Sequence, residues 1–187
     1  MAKFYDALND KHVAFIKAQK MFFVATAPLS DAGRVNLSPK GYDSFRVIGP
    51  NRVAYADLGG SGAETLAHVR ENRRITFMFC AYEGAPNIMR LYGRGEVMQF
   101  NDPGFAEENA KFPPGHERAR DIIFADIAQV QDSCGWAVPF YDFKGERDQL
   151  LRYIEHKPLD EWHEGRLAKN AQSIDGLPGM IRPEAAE

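Results

Sequence analysis

"ITFMFCAYEGAPNIMRLYGRGEVMQF", residues 75–100, is the stretch on which the fold turns. Residues 75–82 are an apolar run of strand length, rich in aromatic and β-branched side chains, and residues 87–100 are a second, longer one. Between them Gly84 and Pro86 supply a turn. Two strands joined this tightly must lie antiparallel, because a parallel pair needs a long crossover. Outward from this pair the pattern repeats. Upstream, "MFFVATAPL" (21–29) is a buried-strand run, "PLSDAGR" (28–34) is turn chemistry, and "RVNLSPK" (34–40) alternates with period two. "FRVIG" (45–49) and "VAYADL" (53–58) flank the tight turn "PNR" (50–52), and "DIIFADIAQVQDS" (121–133) is a further strand downstream. Among these six or seven strands only one helix, Glu64–Asn72, is inserted. Strands do not alternate with helices, so a doubly wound parallel sheet is not expected and a mainly-β antiparallel barrel with flanking helices fits better.

The flanks read as helical. Phe4, Leu8, Phe15 and Ile16 recur at helical spacing over Phe4–Ala18, Pro103–Arg120 reads as a helix plus connector, and residues 146–170 read as helical before an irregular tail, "SIDGLPGMIRPEAAE" (173–187). The expected organisation is one domain over 1–187: an N-terminal helix (1–19), a barrel core (20–135) and a mostly helical extension (136–187).

A net charge of −3 offers no global field for nucleic acid. No apolar run approaches the ~18 residues needed to cross a bilayer, and "MAKFYDALNDKHVAF" lacks the apolar centre of a secretory signal. Cys80 and Cys134 form no CxxC, which points to a reduced, cytoplasmic protein, with Cys134 a packed thiol beside Gly135. The histidines (12, 68, 116, 156 and 163) show no metal-ligand spacing, and His68, one turn after Glu64, reads as half of a surface pair. No catalytic residue stands out.

The helix is preceded by glycines in "DLGGSGAETLAHVREN" (57–72). No Gly-Lys-Ser/Thr follows them, and a dinucleotide fingerprint lacks its third glycine here. Two readings stay open. Ser61 and Glu64 have capping-box spacing; alternatively the amides around Gly62, with the Ser61 and Thr65 hydroxyls, form an anion site at the helix start, which Glu64 opposes.

The order of elements carries a resemblance. The hairpin "DAGRVNLSPKG", a strand ending in a Gly/Ser turn, the helix "ETLAHVREN" and then "RLYGRGEV" resemble the pyridoxamine 5'-phosphate oxidase-like family of FMN-binding split barrels over roughly residues 20–135. The resemblance implies a homodimer of six-stranded barrels with FMN at the interface and a small-molecule substrate. Arg34 and Lys40 match the family's basic positions at the two ends of the flavin strand, with Pro39 making the spacing one residue longer. Asn36 and Ser38 share a face with them by alternation, as flavin contacts or as an exposed outer face. The family's Arg-Lys phosphate clamp at the helix start is Glu64-Thr65 here. Arg90, opposite in direction to Met89 and Leu91, and Arg94 are candidate replacements; an ordinary surface arginine is the other reading of Arg90. Trp136 and Tyr141 are expected to wall a flavin or substrate or to pack in the core, and the segment 162–180 to cover the flavin or a partner subunit. In such proteins flavin N5 takes a hydride from the substrate. The C-terminal cations Arg147, Arg152, Lys157, Arg166 and Lys169 form no recognised substrate-binding motif, so pyridoxamine 5'-phosphate itself is not indicated. A haem module, a deazaflavin protein and a barrel without cofactor are the alternatives.

Overall fold

A computed structural model describes residues 2–183. Its elements in chain order are β1 (Lys3–Tyr5), α1 (Asp10–Ala18), β2 (Phe22–Thr26), β3 (Asn36–Lys40), β4 (Phe45–Gly49), β5 (Arg52–Asp57), α2 (Glu64–Asn72), β6 (Arg74–Cys80), β7 (Ile88–Gln99), α3 (Phe105–Asn109), β8 (Asp121–Ser133), α4 (Gln149–Glu155) and α5 (Leu159–Lys169). The pair quoted above is present: β6 and β7 run antiparallel with Ile75 opposite Gly93 and Cys80 opposite Ile88. All neighbouring strands pair antiparallel in the order β3-β2-β6-β7-β8-β5-β4, with β1 added on β8. The sheet thus has eight strands where six or seven were expected.

The sheet curls around a core of Phe22, Val24, Phe45, Tyr55, Phe77, Phe79, Leu91 and Ile123. Phe45 packs edge-on to Phe22, Phe77 and Phe79 with ring centroids 5.0–5.2 Å apart, the geometry that aligns ring edges with ring faces. β7 can follow β8 along its whole length because of a bulge after Tyr92, where a Cβ on Gly93 would collide with the Asp126 carbonyl oxygen.

The two end strands of this path, β3 and β4, are not hydrogen-bonded to each other. The gap is bridged by side chains: Lys40 Nζ, on β3, donates to Asp57 Oδ2, on β5, at 2.8 Å. Outside the barrel, α3, α4 and α5 cover the far face of β5 and β8 through Ala54, Ala56, Phe105, Ile122, Phe124 and Trp162. Among the described residues no helix packs in this way on the outer face of β3, β2 and β6, where Leu37 is exposed, whereas Met98 of β7 joins the covered side.

Three expectations are corrected. The first residues are not helical: Lys3–Tyr5 pair with Val130–Asp132, and the helix begins only at Asp10, after Asn9, whose side chain accepts from the Lys11 and His12 amides at 3.0 and 3.1 Å. Within the extension, residues 134–148 have neither helix nor strand. Part of the tail is not irregular either: Gln172 bridges Pro178 and closes a hairpin over residues 171–180. Met1 and residues 184–187, parts of the N-terminal stretch and the tail read above, lie outside the described residues.

Candidate functional site

β3 inverts the usual rule of apolar-in, polar-out. Its pairing places Asn36, Ser38 and Lys40 opposite Thr26, Val24 and Phe22, all facing the barrel interior. Val35 and Leu37 consequently point out and are 76% and 61% exposed. Asn36 Nδ2 donates to Thr65 Oγ1 at 3.0 Å and to Thr26 Oγ1 at 3.3 Å, and Ser38 donates to Asn36 Oδ1 at 3.0 Å. The exposed-face alternative is therefore corrected: these side chains tie β3 to β2 and to the start of α2.

Below them lies a buried charge cluster. Asp57 accepts from Lys40, from Arg120 Nη2 at 3.2 Å and from the Gly59 amide at 2.9 Å. Burial opposes its ionisation, but Lys40 and Arg120 beside it hold its carboxyl well below the usual carboxylate range. Asp121, opposite Asp57 on β8, accepts from Arg120 Nε at 2.9 Å, and its other oxygen has no partner. Burial, with the neighbouring charge of Asp57, pushes Asp121 up to about 7 against the pull of Arg120.

The glycine loop is held from within. Arg120 Nη1 donates to the Gly62 carbonyl at 2.7 Å and Arg166 Nη1 to the Gly60 carbonyl at 2.9 Å. Gly59, at φ +78°, leaves room for the Arg120 side chain, whose Cδ would be 2.9 Å from an added Cβ. The capping box is overturned. The N-cap is Ala63, which puts Glu64 at the first helical position instead of the third, where it could reach back. Glu64 instead folds over Gly62, where a Cβ would run into its carboxylate, and accepts from the Ile174 amide at 3.2 Å. Ser61 is exposed.

The remaining candidates lie apart. Arg34 is largely exposed and pairs with Asp175 of the C-terminal hairpin. Arg90 is on the outer face, donating to Ser133 Oγ at 3.2 Å, with β2 and β6 between its strand and β3. Arg94 is exposed. His68 is not in a surface pair: it is fully buried and shares a 3.0 Å hydrogen bond with Thr26 Oγ1. Cys134 is exposed rather than packed. Trp136 and Tyr141 are both exposed rather than core residues, and Tyr141 joins Tyr42, Tyr82 and Phe143 around a cavity of about 520 Å³ beside Lys40 and Gly41. Among the described residues no His/Cys/Asp/Glu group is placed to hold a metal, and no helix is long and apolar enough to cross a membrane.

This geometry can be set beside known proteins. A family model described as pyridoxamine 5'-phosphate oxidase matches residues 8–133. The chain belongs to the pyridoxamine 5'-phosphate oxidase family. The family protein ustO of Aspergillus flavus is 39% identical over 200 residues, covering 96% of this chain and 78% of that protein. Among solved structures, HupZ of Group A Streptococcus superposes with a TM-score of 0.51 at 17% identity, covering 66% of this chain and 91% of that one. A Clostridium acetobutylicum protein of the pyridoxinephosphate oxidase family, related to general stress protein 26, gives 0.51 at 11% identity, covering 75% and 94%. These likenesses show the split-barrel fold.

Sequence reading missed Asp57, Arg120, Asp121 and Asp175. Only the Asp ending "VAYAD" and the pair Arg120-Asp121 at a strand start could have hinted at them, since charges inside apolar runs require partners. For this member of the pyridoxamine 5'-phosphate oxidase family, a flavin phosphate at the helix start does not fit the residues as they stand. Arg34 is held by Asp175 and Lys40 by Asp57, and the space above Gly62 is filled by the Glu64 carboxylate. The other end of β3, with its aromatic-walled cavity, does fit a planar ring.

Proposed function

We propose that the protein is a cytoplasmic flavoprotein oxidoreductase that works as a homodimer on a small molecule, with a flavin held by its ring. The observation that carries this reading is the cavity beside Lys40 and Gly41, in a chain of this family. Tyr42, Tyr82, Tyr141 and Phe143 offer flat apolar faces of the kind that bury a planar ring. A bound flavin would supply the hydride-accepting centre, so the protein itself needs to bind, orient and exclude water. Lys40 contributes a positive charge at the cavity wall that Asp57 fixes in place.

The homodimer is supported by what remains uncovered. Val35, Leu37, Phe23 and Met78 share the outer face left free by the helices, and Trp136 and Phe140, further along, are 84% and 79% exposed. Apolar surface of this kind is buried by association.

The visible spectrum of the purified protein, followed by titration with FMN and with riboflavin, is the test. Flavin bands, or saturable uptake that weakens in Tyr82→Ala, are expected. A protein that takes up neither flavin overturns the reading, and a haem or deazaflavin band would assign the cavity to another ring.

A further inference from the structure

At the end of β3 away from the cavity, the chain supplies its own anions. Arg34 presents two donors side by side, its main-chain N–H and its guanidinium. Both go to Asp175, the N–H to Oδ2 at 2.7 Å. This is the arrangement by which a protein grips a carboxylate or phosphate from solution, and here the carboxylate arrives from the tip of the C-terminal hairpin.

The hairpin is built to deliver it. Ser173 N–H donates to the Leu177 carbonyl at 2.9 Å, Leu177 N–H donates to Ser173 Oγ at 3.1 Å, and Gly176 makes the turn at φ +78°. Its far end is anchored: Arg70 Nε donates to the Gly179 carbonyl at 2.9 Å, and Gln99 both accepts from the Ile181 amide, at 2.7 Å, and donates to its carbonyl, at 3.0 Å. One residue before Asp175, the Ile174 amide holds Glu64 in its place over Gly62. Two carboxylates of the chain are thus fixed where the family's flavin phosphate would be met by cations.

We propose that Asp175 is a specificity-determining residue, a tethered carboxylate that occupies Arg34 and sets the site against a phosphate at that end of the ligand. This rests on the flavin reading of the cavity. A flavin carrying a 5'-phosphate must displace Asp175 and face Glu64, whereas riboflavin, ending in a hydroxyl, need not. The hairpin tip is released by the first ligand and stays closed with the second.

The experiment compares FMN and riboflavin affinities, by quenching of flavin fluorescence, in the full chain and in Asp175→Asn. Asparagine keeps an acceptor for the Arg34 amide and removes the charge. The variant is expected to tighten FMN by about tenfold, the worth of one charge-assisted contact, leaving riboflavin unchanged; adding Arg34→Ala cancels the gain. An FMN-to-riboflavin preference equal in the two proteins overturns the proposal. Should neither flavin bind to any of them, the cavity reading fails, and inorganic phosphate still decides the hairpin. Phosphate should raise the melting temperature of Asp175→Asn and not that of the parent or of the Arg34→Ala double variant. A phosphate response identical in all three overturns the proposal on its own.

Discussion

Asp121 is the residue at which burial and charge conflict most openly. Its folded-state value of about 7, against 3.8 for a free carboxyl, means that the folded protein keeps a proton the unfolded chain has released. That contribution is complete below about pH 4 and is lost as the pH rises through 7. Replacing Asp121 by Asn removes the titration and retains an acceptor for Arg120. The stability of the parent relative to Asp121→Asn should therefore fall by about 1 kcal/mol between pH 6.5 and 8, measured as the difference in urea midpoints. His68, His116 and His163, whose values burial lowers, titrate alike in both proteins and cancel from the difference. A pH-independent difference would remove Asp121 as the titrating group. None of this was legible in the sequence, where Asp57 and Asp121 stand 64 positions apart and only the β5–β8 register brings them together.

Among the elements, legibility tracked length. The long runs of β6, β7 and β8 declare themselves by composition and turn chemistry, and α2 by its apolar spacing. β1 has three residues, too few for a period, and exists because β8 offers it an edge. The helical spacing of Phe4 with Leu8 was coincidental, and the true start of α1 is chemical: Asn9 accepts two amides, and His12 Nδ1 accepts from the Asn9 amide at 3.2 Å. Asn9→Ala should lower stability by about 1 kcal/mol, read as a shift in urea midpoint with unchanged slope. β3 was recognised as a strand and its polar face as special, yet the alternation of Asn36, Ser38 and Lys40 cannot say which side of the strand is the interior. Its register against β2 decides that.

At the scale of the whole molecule, helices cover one side of the barrel's outside, and on the other, among the described residues, Val35 and Leu37 stand exposed. If the proposed homodimer forms through this face, Val35→Glu combined with Leu37→Glu should yield a folded monomer, with sedimentation reporting mass and far-UV circular dichroism reporting the fold; a double variant that still sediments as a dimer would place the contact elsewhere. The wall itself is continuous except between the end strands β3 and β4, where Lys40 reaches across to Asp57 on β5. Lys40→Met should cost about 3 kcal/mol by leaving a buried carboxylate with one cation fewer, and the loss should shrink as the pH falls, because Asp57 then protonates in the folded variant and sheds its uncompensated charge. A wall laced by main-chain bonds resists opening equally everywhere, whereas one closed only by side chains, the Lys40–Asp57 pair with the Asn36–Thr65 hydrogen bond, has a door and a latch. β3 can swing on its ladder to β2 once that latch lets go, so the amides of β3 should exchange with solvent well before those of β7. The hydroxyl of Tyr55, buried inside and without a hydrogen-bond partner among the described residues, is then within reach of water while the rest of the barrel stays folded.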